Sequence, residues 1–150
     1  MIMNAFELKN VWKIYSMNGV KTVALRGINL RIRKSDYIAI VGPSGSRKST
    51  LLHIMGCLDT PTKGRVFVNE RDVSNLSDDE LAEIRCRSIG FVFQAYNLIS
   101  TLNVLENVAL PARLHGMRKQ DAEKKTKELL EMLGLKDGMF HKPSQLSGGQ

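Results

Sequence analysis

Residues 37–50 decide the fold, and they read YIAIVGPSGSRKST. The segment from Tyr37 to Val41 is a short continuous apolar run, which is typical of a strand buried on both faces. The rest is rich in glycine and serine and leads into a predicted helix over residues 49–58. A loop of this composition binds phosphate when it lies between a buried strand and a helix. The sequence therefore predicts an α/β fold with a phosphate-binding loop at residues 42–50.

The loop carries the groups that phosphate binding requires. Its successive backbone N–H groups can point at phosphate oxygens, and the start of the following helix adds its dipole. Lys48 is placed to neutralise the β- and γ-phosphates, and Ser49 is placed to ligate Mg²⁺. The formal pattern G-x-x-x-x-G-K-[S/T] has a glycine where this chain has Arg47. A Gly/Ser-rich loop that only caps a helix is therefore the alternative interpretation.

The elements on either side of the loop fit the same fold class. Upstream, apolar and polar residues alternate at 6–11 and 24–33, which predicts antiparallel strands around a turn at Asn18-Gly19. Downstream, the pattern predicts strands at 65–68 and 88–93, a helix that opens at the capping box in 77–80, and a helix over 121–133 that ends at Gly134. This order indicates an α/β protein with a helical insertion.

Composition and charge exclude several classes of protein. Of the 150 residues, 43% are apolar, which excludes wholesale disorder and suits one domain or a piece of a larger one. Lys and Arg number 22 against 15 Asp and Glu, a net charge of +7. The basic residues are scattered along the chain, which favours a solvated surface over a nucleic-acid site. We therefore expect no nucleic-acid partner.

Cysteine usage and hydropathy bear on the compartment. Cys57 and Cys86 have no companions at metal-ligand spacing, so neither a zinc site nor a disulfide framework is indicated, and a reducing cytosolic setting fits best. The first residues show no secretory signal. The longest charge-free stretch, residues 88–105, is interrupted by polar residues. We expect that the chain does not cross a membrane by itself.

Two further motifs complete a set with the loop. Gln94 follows IGFVF at residues 89–93, and LSGGQ stands at residues 146–150. In this order the three motifs resemble the Walker A loop, the Q-loop and the signature of the nucleotide-binding domain of ABC transporters. The resemblance covers the whole chain.

The resemblance implies a fold and a branch of the family. The fold would be α/β, a P-loop NTPase with a RecA-like core, an N-terminal antiparallel β-subdomain and an α-helical subdomain, incomplete at its C-terminus. Residues 1 to about 95 would hold the β-subdomain and loop core, and about 96–150 the helical subdomain that ends in the signature. Segments within 56–64, 91–98 and 141–146 are similar to the branch that serves lipoprotein release and macrolide export.

The resemblance also implies roles for single residues, with ATP and Mg²⁺ as cofactors. Tyr15 would stack on adenine, although a plain strand aromatic is the alternative. Lys48 would hold the phosphates and Ser49 the metal. Gln94 would sense the γ-phosphate and reach Mg²⁺ or the attacking water. The full set implied to bind nucleotide is Tyr15, Gly42, Ser44, Gly45, Ser46, Arg47, Lys48, Ser49, Thr50, Ser147, Gly148, Gly149 and Gln150.

The signature and the helical region point to partners. Ser147, Gly148 and Gly149 are predicted to begin a helix whose N–H groups bind an anion. The resemblance implies that this anion is the γ-phosphate of ATP held by a second protomer, so that a homodimer sandwiches two ATPs head to tail. It also implies a separate transmembrane permease that contacts residues 97–108, and hence a cytoplasmic location on the inner face of the cell membrane. Glu106 is either a contact there or a helix-start residue stabilised by the dipole.

Three departures qualify the resemblance. Arg47 replaces a Walker A glycine, and its side chain is expected to weaken or abolish ATP binding by filling space beside the nucleotide. Ser35 stands where relatives commonly have glycine, at a cost of about 1–2 kcal/mol if its conformation is left-handed. The sequence stops at Gln150, before the expected Walker B strand, catalytic Glu, D-loop and switch His.

These observations together predict a function. The chain is interpreted as the N-terminal part of an ATP-binding subunit that couples ATP binding and hydrolysis to transport by the permease. The alternative is a non-catalytic nucleotide-binding or regulatory protein, because of Arg47 and the missing Walker B region. A soluble ATPase that acts on nucleic acid would require a clustered basic surface.

Overall fold

The computed structural model describes residues 3–150. They form two compact units, one that ends at Phe91 and one that spans Val92–Gln150. The first unit holds β1 (Asn4–Met17), β2 (Val20–Arg33), α1 (Lys48–Met55), β3 (Lys63–Val68), β4 (Arg71–Asp72) and α2 (Asp78–Ser88). The second holds α3 (Val104–Leu114), α4 (Lys119–Met132) and a short 3₁₀ helix (Pro143–Gln145). Strands followed by helices give the α/β content that the sequence predicts, whereas the subdomain boundary near residue 95 stays a prediction.

The first unit is built on a four-stranded antiparallel sheet in the order β2-β1-β3-β4. The β1–β2 hairpin turns at Asn18-Gly19, as predicted, with Met17 paired to Val20. Both strands are longer than predicted, because exposed residues near the turn also pair across the hairpin. Register breaks in β1 beside Asn10, whose φ of +50° is typical of a bulge.

Gly64 lies where β1 and β3 approach each other closely. A Cβ built on Gly64 would stand 2.2 Å from the carbonyl oxygen of Asn10, and the φ of Gly64 is +89°. Neither the space nor the conformation suits a side chain. Gly64 therefore allows the pairing that carries β3 onto β1.

The core of the first unit forms between the sheet and the two helices. Ile54 and Met55 come from α1, and Leu81 and Ile84 come from the predicted capping-box helix α2. They join a buried cluster whose other members are Leu8, Val11, Leu25, Ile32, Cys57, Val66, Val68 and Val73. The helix α1 ends at Met55, earlier than predicted, because Gly56 and Cys57 leave the helical conformation and Cys57 takes a φ of +55°. This packing fixes the direction in which α1 leaves the glycine-rich loop.

Two of the predicted buried strands are wrong. Residues 37–41 form no strand, and Tyr37 and Val41 are 98% and 87% exposed. Residues 89–93 also form no strand, Ser88 is the last residue of α2, and Val92 is fully exposed. A strand buried on both faces needs hydrogen-bonded neighbours and a packed layer on each side. Within residues 3–150 every strand pair is antiparallel, and neither apolar run has a strand partner.

The second unit is a helical pair with its own small core. Asn103 caps α3 and shares a reciprocal capping box with Glu106. The predicted helix over 121–133 is observed as α4, and Gly134 follows it with a φ of +71°. Val104, Leu105, Leu130 and Met139 are buried together between these elements. In the described part of the chain, no helix has the length and apolar character that a bilayer span requires.

Candidate functional site

The glycine-rich loop folds around the ammonium group of Lys48. Its Nζ donates to the carbonyl oxygens of Gly42 and Pro43, both at 2.8 Å, and lies 3.2 Å from the hydroxyl of Ser46. Lys48 is also the first residue of α1. A cation held inside a loop at a helix start presents positive charge together with free backbone N–H groups. These are features that an anion site requires, and phosphate binding by residues 42–50 stays a prediction.

Arg47 adopts a backbone conformation that favours glycine. Its φ and ψ are +64° and +24°, and it is the N-cap of α1 without a side-chain capping bond. The Arg47 carbonyl accepts the first helical hydrogen bond, from Leu51 N–H at 3.2 Å. The N–H groups of residues 48–50 precede any intrahelical acceptor. Gly45, with a φ of +80° and open space around its Cα, is the other left-handed residue of the loop.

Ser35 also has the left-handed conformation that was considered for it. It lies in the turn after β2 with a φ of +70°. The turn is closed by Arg33 N–H, which donates to an Asp36 carboxylate oxygen at 2.8 Å. The expected conformational cost of about 1–2 kcal/mol therefore applies at this position.

Tyr15 is held by its hydroxyl beside the first turn of α1. The hydroxyl donates to Asp59 Oδ2 at 2.9 Å, and the residue is 40% exposed. Burial, followed by the hydrogen bond to the Asp59 carboxylate, raises the pKa of Tyr15, while the Thr50 hydroxyl and the charge of Arg47 act in the opposite direction. The phenol thus lies within electrostatic range of the phosphate loop. Tyr15, Thr50 and Arg47 therefore belong to one neighbourhood.

Asp59 and Lys13 form the base of this neighbourhood, and motif reasoning did not find them. Lys13 Nζ contacts Asp59 Oδ1 at 2.5 Å and donates to the carbonyl of Thr60 at 2.8 Å. Burial tends to raise the pKa of Asp59, but bonds from Lys13, Tyr15 and the Thr60 N–H outweigh it and hold that pKa below its ordinary value. Lys13 and Tyr15 lie two positions apart in β1, beyond the strand predicted at residues 6–11. No sequence pattern signals that Asp59 returns to meet them.

The residues around the loop could supply only some of the oxygen ligands that a Mg²⁺ ion requires. The hydroxyl of Ser49 is exposed in the first turn of α1. Among residues 3–150, no group of three or more His, Cys, Asp or Glu side chains could hold a metal ion. Mg²⁺ prefers hard oxygen ligands and commonly takes several of them from substrate phosphates. The residues therefore fit a Mg²⁺ ion that arrives with a phosphorylated ligand.

The second unit carries the remaining predicted residues. Gln94 lies exposed in a bend without regular structure. Residues 148–149 form a turn, closed by Gln150 N–H donating to the Ser147 carbonyl at 3.0 Å, and a helix that begins at the signature stays a prediction. The Gln150 side chain in turn accepts from Ser147 N–H at 2.9 Å.

Gly148 faces an aromatic hydroxyl within the same unit. A Cβ built on Gly148 would lie 3.0 Å from the Tyr96 hydroxyl oxygen. Such a contact is tighter than side chains ordinarily tolerate. The absence of a side chain at Gly148 leaves the turn accessible beside Tyr96, which is 70% exposed.

Comparison with known families matches this chain to one of them. Residues 25–150 match the model of the family described as ABC transporter. An uncharacterized ABC transporter ATP-binding protein of Thermotoga maritima is 53% identical over 144 residues, 96% of this chain and 62% of its own length. The macrolide export ATP-binding/permease protein MacB of Campylobacter fetus is 45% identical over 144 residues, which cover 96% of this chain and 22% of that protein.

A solved structure shows the same fold. It is an ATP-binding cassette, described as a dimer in a post-hydrolysis state bound to ADP and Pi, from Methanocaldococcus jannaschii. It superposes with a TM-score of 0.87 at 46% identity and covers 97% of this chain and 64% of its own. The predicted fold class is confirmed by this match. The chain spans less than two thirds of the length of these relatives.

Proposed function

Because the chain belongs to the ABC transporter family, we propose that it is the ATP-binding part of a transporter whose ATP binding and hydrolysis drive a membrane permease. The observation that carries the proposal is the loop at residues 42–50. It folds around Lys48 Nζ and leads directly into α1. Such a loop provides positive charge and free N–H groups at one point, which is what a triphosphate requires.

The first unit would bind the nucleotide at both of its ends. Lys48 and the N–H groups of residues 48–50 would hold the β- and γ-phosphates. The Tyr15 ring, 40% exposed beside α1, would stack on the adenine. The Ser49 hydroxyl would contribute an oxygen ligand to a Mg²⁺ ion that neutralises phosphate charge.

The second unit would serve a partner protomer. In this proposal the N–H groups of Ser147, Gly148 and Gly149 bind the γ-phosphate of ATP held by a second copy of the chain, head to tail. The dimeric state of the solved ABC cassettes supports it. Phosphate binding would require Ser147 N–H to exchange its bond to the Gln150 side chain for one to the ligand. This side chain therefore acts as a substitute acceptor before the partner arrives.

The permease is proposed as a separate subunit. The T. maritima relative, which this chain spans to 62%, is named for ATP binding alone, whereas MacB, spanned to 22%, combines ATP binding and permease in its name. The greater identity, 53% against 45%, supports the separate arrangement. The protein would then be peripheral on the inner face of the cell membrane. The permease contact would lie along residues 97–108, where Glu106 already completes the cap of α3.

Hydrolysis is proposed for the whole protein. Efficient phosphoryl transfer needs a base or a water-positioning group, and Gln94 is the one candidate that the sequence motifs place within the described part of the chain. The solved relative contains ADP and Pi after hydrolysis. This favours a hydrolysing subunit over the non-catalytic regulatory alternative.

Titration of the chain with a fluorescent ATP analogue and Mg²⁺ tests the proposal. Lys48→Ala removes the ammonium group from the loop and should weaken binding at least about tenfold, because a charge-assisted hydrogen bond contributes about 1.5–3 kcal/mol. Lys34→Ala, at an exposed lysine in the turn after β2, is the matched control. Equal affinity of Lys48→Ala and the natural chain would refute the assignment of this loop. ATP-dependent dimerisation, measured by light scattering, tests the second unit.

A further inference from the structure

We propose that Asp59 is the positioning residue for the nucleotide base: its carboxylate holds the Tyr15 ring by the phenol hydroxyl and so sets the affinity for the base. The inference rests on the proposed function, in which Tyr15 stacks on adenine. It extends that function to a residue outside the Walker A, Q-loop and signature motifs.

The two oxygens of Asp59 have separate partners. Oδ2 accepts from the Tyr15 hydroxyl at 2.9 Å. Oδ1 accepts from Lys13 Nζ at 2.5 Å and from the Thr60 N–H at 2.8 Å. The carboxylate therefore cannot rotate away from Tyr15 without breaking several bonds. An aromatic ring fixed by its distal atom loses little further freedom when a ligand stacks on it.

Lys13 adds to the orientation of the ring. Its side chain is 12% exposed, and its Nζ lies 5.1 Å from the centre of the Tyr15 ring. A cation over the face of an aromatic ring is attracted to the π-electrons. Since the ammonium occupies one face, the face that remains for a planar ligand is the opposite one.

Asp59 also connects the base site to the phosphate loop. Its N–H donates to the carbonyl of His53 in α1 at 3.3 Å, and α1 begins at Lys48. The first turn of α1 therefore carries the proposed phosphate contacts. His53, near the other end of α1, holds Asp59, and Asp59 in turn holds the Tyr15 ring. Loss of the Asp59 carboxylate should disturb recognition of the base while the phosphate contacts stay in place.

Two ligands separate these effects in the full chain. ATP carries the base, and inorganic tripolyphosphate carries a similar charge without it. Each ligand is titrated, in the presence of Mg²⁺, into the natural chain and into the Arg47→Gly variant. The Arg47→Gly variant ensures that obstruction by the Arg47 side chain does not hide the contribution of the base to affinity. Tyr15→Phe keeps the ring and removes the hydroxyl, Asp59→Ala removes the acceptor, and Tyr37→Phe is the matched control at an exposed tyrosine.

We expect Tyr15→Phe and Asp59→Ala each to weaken ATP binding about two- to tenfold, the cost of fixing one free side chain, and to leave tripolyphosphate binding unchanged. The double variant should bind ATP no more weakly than Asp59→Ala alone, because Asp59→Ala has already removed the bond that Tyr15→Phe removes.

Three results would overturn the inference. Unchanged ATP affinity in Tyr15→Phe would do so even if Asp59→Ala did not fold. An equal loss for ATP and tripolyphosphate in Asp59→Ala would assign Asp59 a general structural role. Unchanged ATP affinity in Tyr15→Ala would remove the stacking role itself, and with it the inference. In the first two results, ATP binding that depends on Lys48 would leave the proposed function standing.

Discussion

Replacement of Arg47 separates a backbone effect from a side-chain effect at the phosphate loop. Arg47 has a φ of +64°, where an L-residue costs about 1–2 kcal/mol and glycine costs almost nothing. Glycine also gives the unfolded chain more conformational freedom, and this lowers the gain in folding stability by about 0.4–1 kcal/mol. Arg47→Gly should therefore be more stable than Arg47→Ala by about 1 kcal/mol, or about 2–4 °C in Tm for a chain of this size.

Arg47→Ala is the matched control because it keeps the Cβ and removes the guanidinium. Both variants also remove a cation from the N-terminus of α1, so that contribution cancels when they are compared. Urea unfolding of the three chains, followed by circular dichroism, gives the difference in free energy of unfolding. Equal stabilities of the alanine and glycine variants would refute the argument from the backbone conformation.

ATP affinity should follow a different order from stability. The charge of Arg47 acts to lower the pKa of Tyr15, so the guanidinium lies within electrostatic range of the phenol. If it prevents even one charge-assisted hydrogen bond of about 1.5–3 kcal/mol, affinity falls about ten- to a hundredfold. Arg47→Ala and Arg47→Gly should then bind a fluorescent ATP analogue alike, and both more tightly than the natural chain. Equal affinity of the natural chain and Arg47→Gly would refute the steric argument.

Three other substitutions test the fold around the site. Ser35→Gly should raise the free energy of unfolding by about 0.5–1 kcal/mol, since the φ of Ser35 is +70°, whereas Ser35→Ala should give no such gain in urea unfolding. Asn103→Ala should lower the thermal stability by about 1 kcal/mol, because its side chain accepts from Glu106 N–H at 2.8 Å; no loss in calorimetry would contradict the capping role. Asp59→Asn should lower the free energy of unfolding at neutral pH and make that free energy decrease less steeply as the pH falls. The folded pKa of Asp59 is below its ordinary value, so its contribution is present above about pH 4 and is lost as pH falls through the folded pKa. Urea midpoints between pH 2 and 7 measure this, with Asp137→Asn as the control at an exposed position; identical pH profiles for the two variants would contradict it.

The positions of α1, α2 and α4 and of the hairpin turn could be predicted because local patterns determine them. The capping box at Ser77 marked the start of α2, and Asn18-Gly19 marked the turn between β1 and β2. Such signals depend on residues within a few positions of each other, so they hold whatever the rest of the chain does. The order of the glycine-rich loop, Gln94 and the LSGGQ residues was likewise sufficient to indicate the family.

The strands predicted at 37–41 and 88–93 failed for the opposite reason. Their apolar composition suits burial, but Val41 and Val92 are exposed. A buried strand is formed by its neighbours as much as by its own residues, because its N–H and C=O groups need partners on adjacent strands. Apolar composition therefore indicated only a tendency to be buried, and the described sheet supplies no strand partner for either apolar segment.

Sequence alone determined the family, the turn of the β1–β2 hairpin and the approximate positions of α1, α2 and α4, since each depends on residues close together in the chain. Tertiary structure decided the left-handed conformation of Arg47 and the meeting of Tyr15 with Asp59, which is 44 positions away. The first follows from the direction in which the loop enters α1, and the second from the path of the chain after α1 ends. Contacts of this kind depend on how the sheet and helix pack, and no local pattern encodes that packing.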